Sequence, residues 1–153
     1  MELQTLMENS AIEAGFTELI LRDETKIEDQ TRKNLKRNTS LVIVNWGIPI
    51  NFSDINITGH IREKNYSIQA MFMEKPTTLT EDARIDLSSN IVDKVAVFIE
   101  KLNLKVRQQS NIPGNHVTNI KCTLAPLTLD TQVSAAIVSF DVRLTIDRTT
   151  CSI

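Results

Sequence analysis

Glycine is scarce in this chain, four residues in all, which excludes a loop of closely spaced glycines cradling phosphate with its backbone N–H groups. Cys122 and Cys151 are the only cysteines and His60 and His116 the only histidines. Neither cysteine has a second ligand at metal spacing, so no metal or other cofactor is expected. Neither histidine lies in a nucleophile elbow or a triad-like local pattern, so an enzyme would have to build its site from dispersed residues, with His60, His116 and Asp141 as the starting points. Aromatic residues make up 5% of the sequence and most occupy core-phase positions, which leaves no platform for stacking bases. Charge of one sign is missing too: 17 basic residues face 19 acidic ones, unlike the strongly basic face of a dedicated nucleic-acid binder.

What is present fits one compact domain. The 153 residues are 41% hydrophobic and 24% charged, and a domain of this size buries roughly 70% of its unfolded surface. There is no charged-then-apolar leader and no apolar run approaching the roughly 20 residues that span a bilayer, so no membrane partner is expected. Synthesis in a reducing cytoplasm keeps both cysteines as thiols. Cys122 lies in the alternation Ile120, Cys122, Leu124 and reads as a small core hydrophobe, whereas Cys151 reads as a surface thiol.

Residues 136 to 146 alternate strictly, with every even position from Ala136 to Ile146 apolar and Ser139, Asp141, Arg143 and Thr145 polar. Side chains on a strand alternate between faces, so this is a long strand with one greasy and one wet face, as in an antiparallel sheet. Asp141 and Arg143 are neighbours on the wet face, where cross-strand pairing or a subunit contact are natural roles. Leu41 to Val44 is a continuous apolar run, the mark of a central strand covered on both faces. Tyr66, Ile68, Ala70 and Phe72 alternate as a further strand, and Met71 and Met73 make its far end apolar on both sides. The stretch between, from Asn51 to Asn65, is polar and turn-rich, with a bend at Gly59 and His60.

Helical spacing appears twice. Leu3, Leu6, Met7, Ala11 and Ala14 predict a short amphipathic helix over 2–14, with Gly15 placed for a left-handed cap. Thr78 and Glu81 spell a capping box, after which Ala83, Leu87, Ile91, Val95, Phe98 and Leu102 form a stripe over 79–102, roughly 30 Å at 1.5 Å per residue. Glu81 and Asp82 favour the positive end of that helix. Leu104 and Val106 read as the start of another strand, which turns through a polar hairpin tip from Gln108 to Asn119 containing Asn111, Pro113, Gly114 and His116 and returns along Ile120, Cys122 and Leu124 to a break at Pro126. Phe16 to Leu21 reads as a short strand. Residues 22–37 follow as a charged arm or loop with acidic and then basic halves, in which Glu28 to Arg32 and Asp29 to Lys33 are spaced for helical ion pairs. The fold class is therefore α+β: a mainly antiparallel sheet crossed by one long helix, with a short N-terminal helix and, over 104–147, a β-hairpin and long C-terminal strand.

The order of elements, an extended strand ending MFMEKP, a long helix opening TEDAR and closing VAVFIEKLNL, then LAPLTLDTQVSAAIVSFDVRLTID, resembles the tail-terminator and neck-ring proteins of tailed bacteriophages. Similar short proteins occur at the head-tail junction of phages of Bacteroides-type gut bacteria, including the crAss-like group. The resemblance runs from about Leu41 onward and is one of pattern. It implies a non-enzymatic virion protein, assembled in the host bacterial cytoplasm as a ring of six or twelve copies of itself. That ring would join portal or connector to tail proteins around the DNA channel, with no sequence-specific contact to the DNA. Subunit contacts would then fall on the charged arm (Glu28, Asp29, Arg32, Lys33), the tip (Asn111, Pro113, Gly114, His116) and the wet strand face (Asp141, Arg143). The alternative from another class is a non-catalytic bacterial adaptor that binds a peptide or small ligand on the exposed sheet face.

Overall fold

A computed structural model describes residues 3–22, 40–45, 47–74, 81–110, 114–127 and 133–146. The elements run α1 (Leu3–Glu13), β1 (Glu18–Arg22), β2 (Ser40–Asn45), β3 (Ile50–Phe52), β4 (Glu63–Glu74), α2 (Glu81–Gln109), β5 (Val117–Leu127) and β6 (Val133–Thr145). The strands form one sheet in the order β1-β2-β4-β6-β5, with β3 paired to the first part of β4. Every pairing is antiparallel except β1 with β2, which is parallel. The α+β class and the mainly antiparallel sheet expected from the sequence are the architecture observed.

The apolar even positions of β6 explain where the helices sit. Ala136, Val138, Phe140 and Val142 are buried, as are Ile68, Ala70 and Phe72 of β4 and Val42 and Val44 of β2. Together they make one apolar face, against which α1 packs Leu6 and Met7 and α2 packs Ile91, Val95, Phe98, Leu102 and Val106. Four of the five phenylalanines form a line of edge-to-face contacts through this layer. Phe16 meets Phe72 at 5.1 Å between centroids, Phe72 meets Phe98 at 5.1 Å, and Phe98 meets Phe140 at 6.1 Å.

The opposite face is divided. At one end Ile20, Leu41, Ile43, Met73 and Ala135 form a second, smaller buried cluster, so β2 and the end of β4 are covered on both sides. At the other end the same face carries Asn65, Ser67, Gln69, Ser139, Asp141 and Arg143.

The first helix ends as its sequence requires. Gly15 takes φ +98°, Phe16 N–H donates to Ala11 O at 3.0 Å and Gly15 N–H to Ile12 O at 3.1 Å. That is the paired six-to-one and five-to-two closure that a left-handed residue after a helix allows.

Three expectations are corrected. Leu104 and Val106 do not start a strand: they belong to α2, which continues to Gln109. Val106 lies one turn beyond Leu102 on the buried stripe, so burial carries the helix on. The stretch from Gln108 to Asn119 is consequently no hairpin tip but the end of α2, its connection to β5, and the first residues of β5. Pro126 does not break the strand either, because β5 is an edge strand and tolerates a residue without an N–H while remaining in register with Ser134. The charged arm expected over 22–37 falls outside the described residues beyond Arg22, and so do Thr78 and Thr80 of the capping box.

Candidate functional site

Local sequence builds a projecting arm from β3 and the loop that joins it to β4. Asn56 organises the loop: its Oδ1 accepts from the N–H groups of Thr58 (3.1 Å) and His60 (3.0 Å) and from the Thr58 hydroxyl (2.7 Å). Gly59, at φ +83°, donates its N–H to Asn56 O at 2.9 Å. This is the side-chain mimicry of a backbone turn that asparagine favours. A fixed turn would ordinarily carry polar residues, but here the arm displays Ile50, Phe52, Ile55 and Ile57. Phe52 is 62% exposed, Ile55 67%, and Ile57 is wholly exposed. Phe52 is thus the one phenylalanine outside the core line.

A second apolar surface lies on the opposite side of the sheet. On β5, residues 118–124 are all exposed, and Ile120 and Leu124 are about half exposed, at 50% and 52%. The alternation was legible, but its burial was not: Cys122 is exposed rather than in the core, because β5 is the outermost strand of the sheet. The partial burial that remains raises the Cys122 thiol pKa. Asn119 takes φ +54° at a bulge between Thr118 and Lys121, which turns its side chain toward β6, where Nδ2 donates to Asp141 Oδ2 at 2.7 Å.

The polar part of the sheet face forms a shallow concavity of about 300 Å³ bordered by Asn45, Pro49, Ser67, Gln69, Ser139 and Asp141. Asp141 is committed to Asn119. Arg143 lies beside it but faces Glu63, at 3.8 Å, and its Nε is buried without a hydrogen-bond partner among the described residues.

The remaining contact residues proposed from sequence divide sharply. Gly114 is exposed at φ +104°. His116 is not at an exposed tip; it is fully buried, donating Nδ1–H to the carbonyl of Arg143 at 3.1 Å while its own carbonyl accepts from Arg143 N–H at 2.8 Å. Its polar flanks suggested solvent, yet it continues the β5 ladder underneath α2, where Asn103 accepts its N–H at 2.9 Å. His60 is exposed in the arm. Glu28, Asp29, Arg32, Lys33, Asn111 and Pro113 lie outside the described residues. Sequence reasoning missed Ile50, Phe52, Ile55 and Ile57, which are spread through a polar segment without a consistent period. No protein-family model matches the chain, and no curated protein is significantly similar to it.

Proposed function

We propose that this protein is a non-enzymatic subunit of a homo-oligomeric ring, placed by its resemblance at the head-tail junction of a tailed-phage virion, where the ring joins connector to tail around the DNA channel. The observation that carries the reading is the pair of exposed apolar surfaces on opposite sides of one sheet: the β3 arm on one side and the β5 edge on the other. Two different surfaces facing opposite ways are what a head-to-tail contact needs, and head-to-tail contacts form a ring when the rotation between neighbours closes and a filament when it does not. An exposed apolar group of this extent marks an interaction site.

Magnitudes favour a closed assembly over an isolated pair. Burying an isoleucine or phenylalanine side chain contributes roughly 1.5–3 kcal/mol, while association costs on the order of 4–15 kcal/mol. One arm contact is therefore weak, and a ring, in which every copy makes two, is what holds it. Electron micrographs of the purified protein, alone and with portal and tail partners, test this. Rings are the expected result, and a strictly monomeric species in both samples contradicts it.

The polar concavity at Asp141 supports a second reading, a monomeric adaptor that binds a ligand on its open sheet face. Its mark would be one ligand per monomer, lost on substitution of Gln69 or Asp141, with no assembly at any concentration.

A further inference from the structure

The ring reading leaves open how one copy meets the next, and the geometry of the two edges narrows it. β3 pairs only with β4, and β5 only with β6, so among the described residues each has one unpaired backbone edge. Such edges template strand addition.

Side-chain phase agrees. Ile50 stands opposite Tyr66 and Phe52 opposite Lys64, while Cys122 stands opposite Val138 and Leu124 opposite Ala136. Residues paired across strands point to the same face. Tyr66, Val138 and Ala136 belong to the helix-covered face, packed in or against its core, so Ile50, Phe52, Cys122 and Leu124 all point to that face.

Each edge also carries a charge, with Lys121 opposite Ser139 on the polar face rather than in the apolar phase. Asp54 lies just beyond Phe52 and Lys121 lies within β5; both are exposed, and neither has an ion-pair partner among the described residues.

We propose that β3 of one copy adds to the free edge of β5 in the next, so that Ile50 and Phe52 lie beside Cys122 and Leu124 on one face of a sheet that continues from subunit to subunit. The proposal rests on the ring reading and names its contact. The bulge at Asn119 keeps the start of β5 out of regular pairing, and from Lys121 onward β5 is regular. The receiving edge is therefore the stretch that carries Cys122, Leu124 and the positive charge of Lys121.

Cys122 makes the contact testable with a native thiol. In a Cys151→Ser background, Ile50→Cys and Phe52→Cys are each introduced and the full chain is treated with a short bismaleimide at mildly alkaline pH, which offsets the raised thiol pKa. Each chain then offers one arm thiol and one edge thiol. The expected result for at least one variant is a ladder extending beyond dimer, abolished by Cys122→Ser. Native mass measurement runs alongside. Multimers without a Cys122-dependent ladder, or arm-to-arm dimers that survive Cys122→Ser, overturn this contact and leave the ring reading standing. A monomer throughout overturns both.

Discussion

The ammonium of Lys94, midway along α2, lies on the carboxylate of Glu74, the last residue of β4 and one of the few buried charged residues in the described chain. Lys94 also reaches the carbonyl of Gly15 at 3.5 Å and the ring of Phe16 at 5.5 Å. One cation thus ties the long helix to the sheet and to the turn after α1. Lys94→Met keeps the apolar stem but leaves Glu74 buried and unpaired, a loss of about 3–5 kcal/mol for a fully buried pair. Because the Lys94 side chain is 33% exposed, roughly 2 kcal/mol is expected. Urea unfolding of Lys94→Met, Glu74→Gln and the double variant checks it, with the double variant less destabilised than the sum of the two.

Asn103 fixes where β5 begins. Its Oδ1 accepts from the N–H groups of His116 at 2.9 Å and Val117 at 3.2 Å, and its Nδ2 donates to Asn115 Oδ1 at 3.3 Å. Asn103→Ala leaves two backbone donors without their acceptor, and a destabilisation of about 2 kcal/mol is expected. Asn103→Asp keeps the acceptor and recovers most of it. Hydrogen exchange at the His116 and Val117 amides is the direct readout, faster in the alanine variant and near wild type in the aspartate variant.

Glu13 and Lys105 join α1 to α2 at 2.8 Å, and the hydrogen bond from Lys105 lowers the Glu13 pKa. A carboxylate whose folded pKa is depressed contributes stability above its ordinary value, 4.5 for this group, and loses it as pH falls through the lowered value. Lys105→Met is therefore expected to destabilise the protein slightly at neutral pH. Thermal melts across the acid range should show the difference from wild type vanishing below the lowered Glu13 pKa.

The sheet was legible in the sequence wherever one rule decided a segment. Strict alternation marked β6, a continuous apolar run marked β2, and the three- and four-residue steps through Ile91, Val95, Phe98 and Leu102 marked α2. Other features depend on neighbours distant in sequence. Leu102, Leu104 and Val106 satisfy a period of two, whereas Leu102 and Val106 alone satisfy helical spacing, and only the burial of that second pair on the core face, with Leu104 left exposed, decides between them. Alternation in Ile120, Cys122 and Leu124 gives phase, but whether anything lies above that phase depends on the edge position of β5. The parallel pairing of β1 with β2 has no local signal at all. His116 illustrates the converse: polar neighbours hid a residue whose burial comes from Asn103 and Arg143, 13 and 27 residues away. The arm escaped notice because its four apolar residues are exposed and join no core cluster among the described residues.

Assembly through that arm is the central claim, and sedimentation velocity on wild type against a Phe52→Ser/Ile55→Ser double variant tests it most directly. Both residues are exposed, so the variant should keep the wild-type circular dichroism, while its urea midpoint loses whatever assembly contributes to the stability of wild type. The expected result is a discrete multimer for wild type and a monomer for the folded variant at the same concentration. Identical sedimentation of the two, whether as monomer or as multimer, contradicts it.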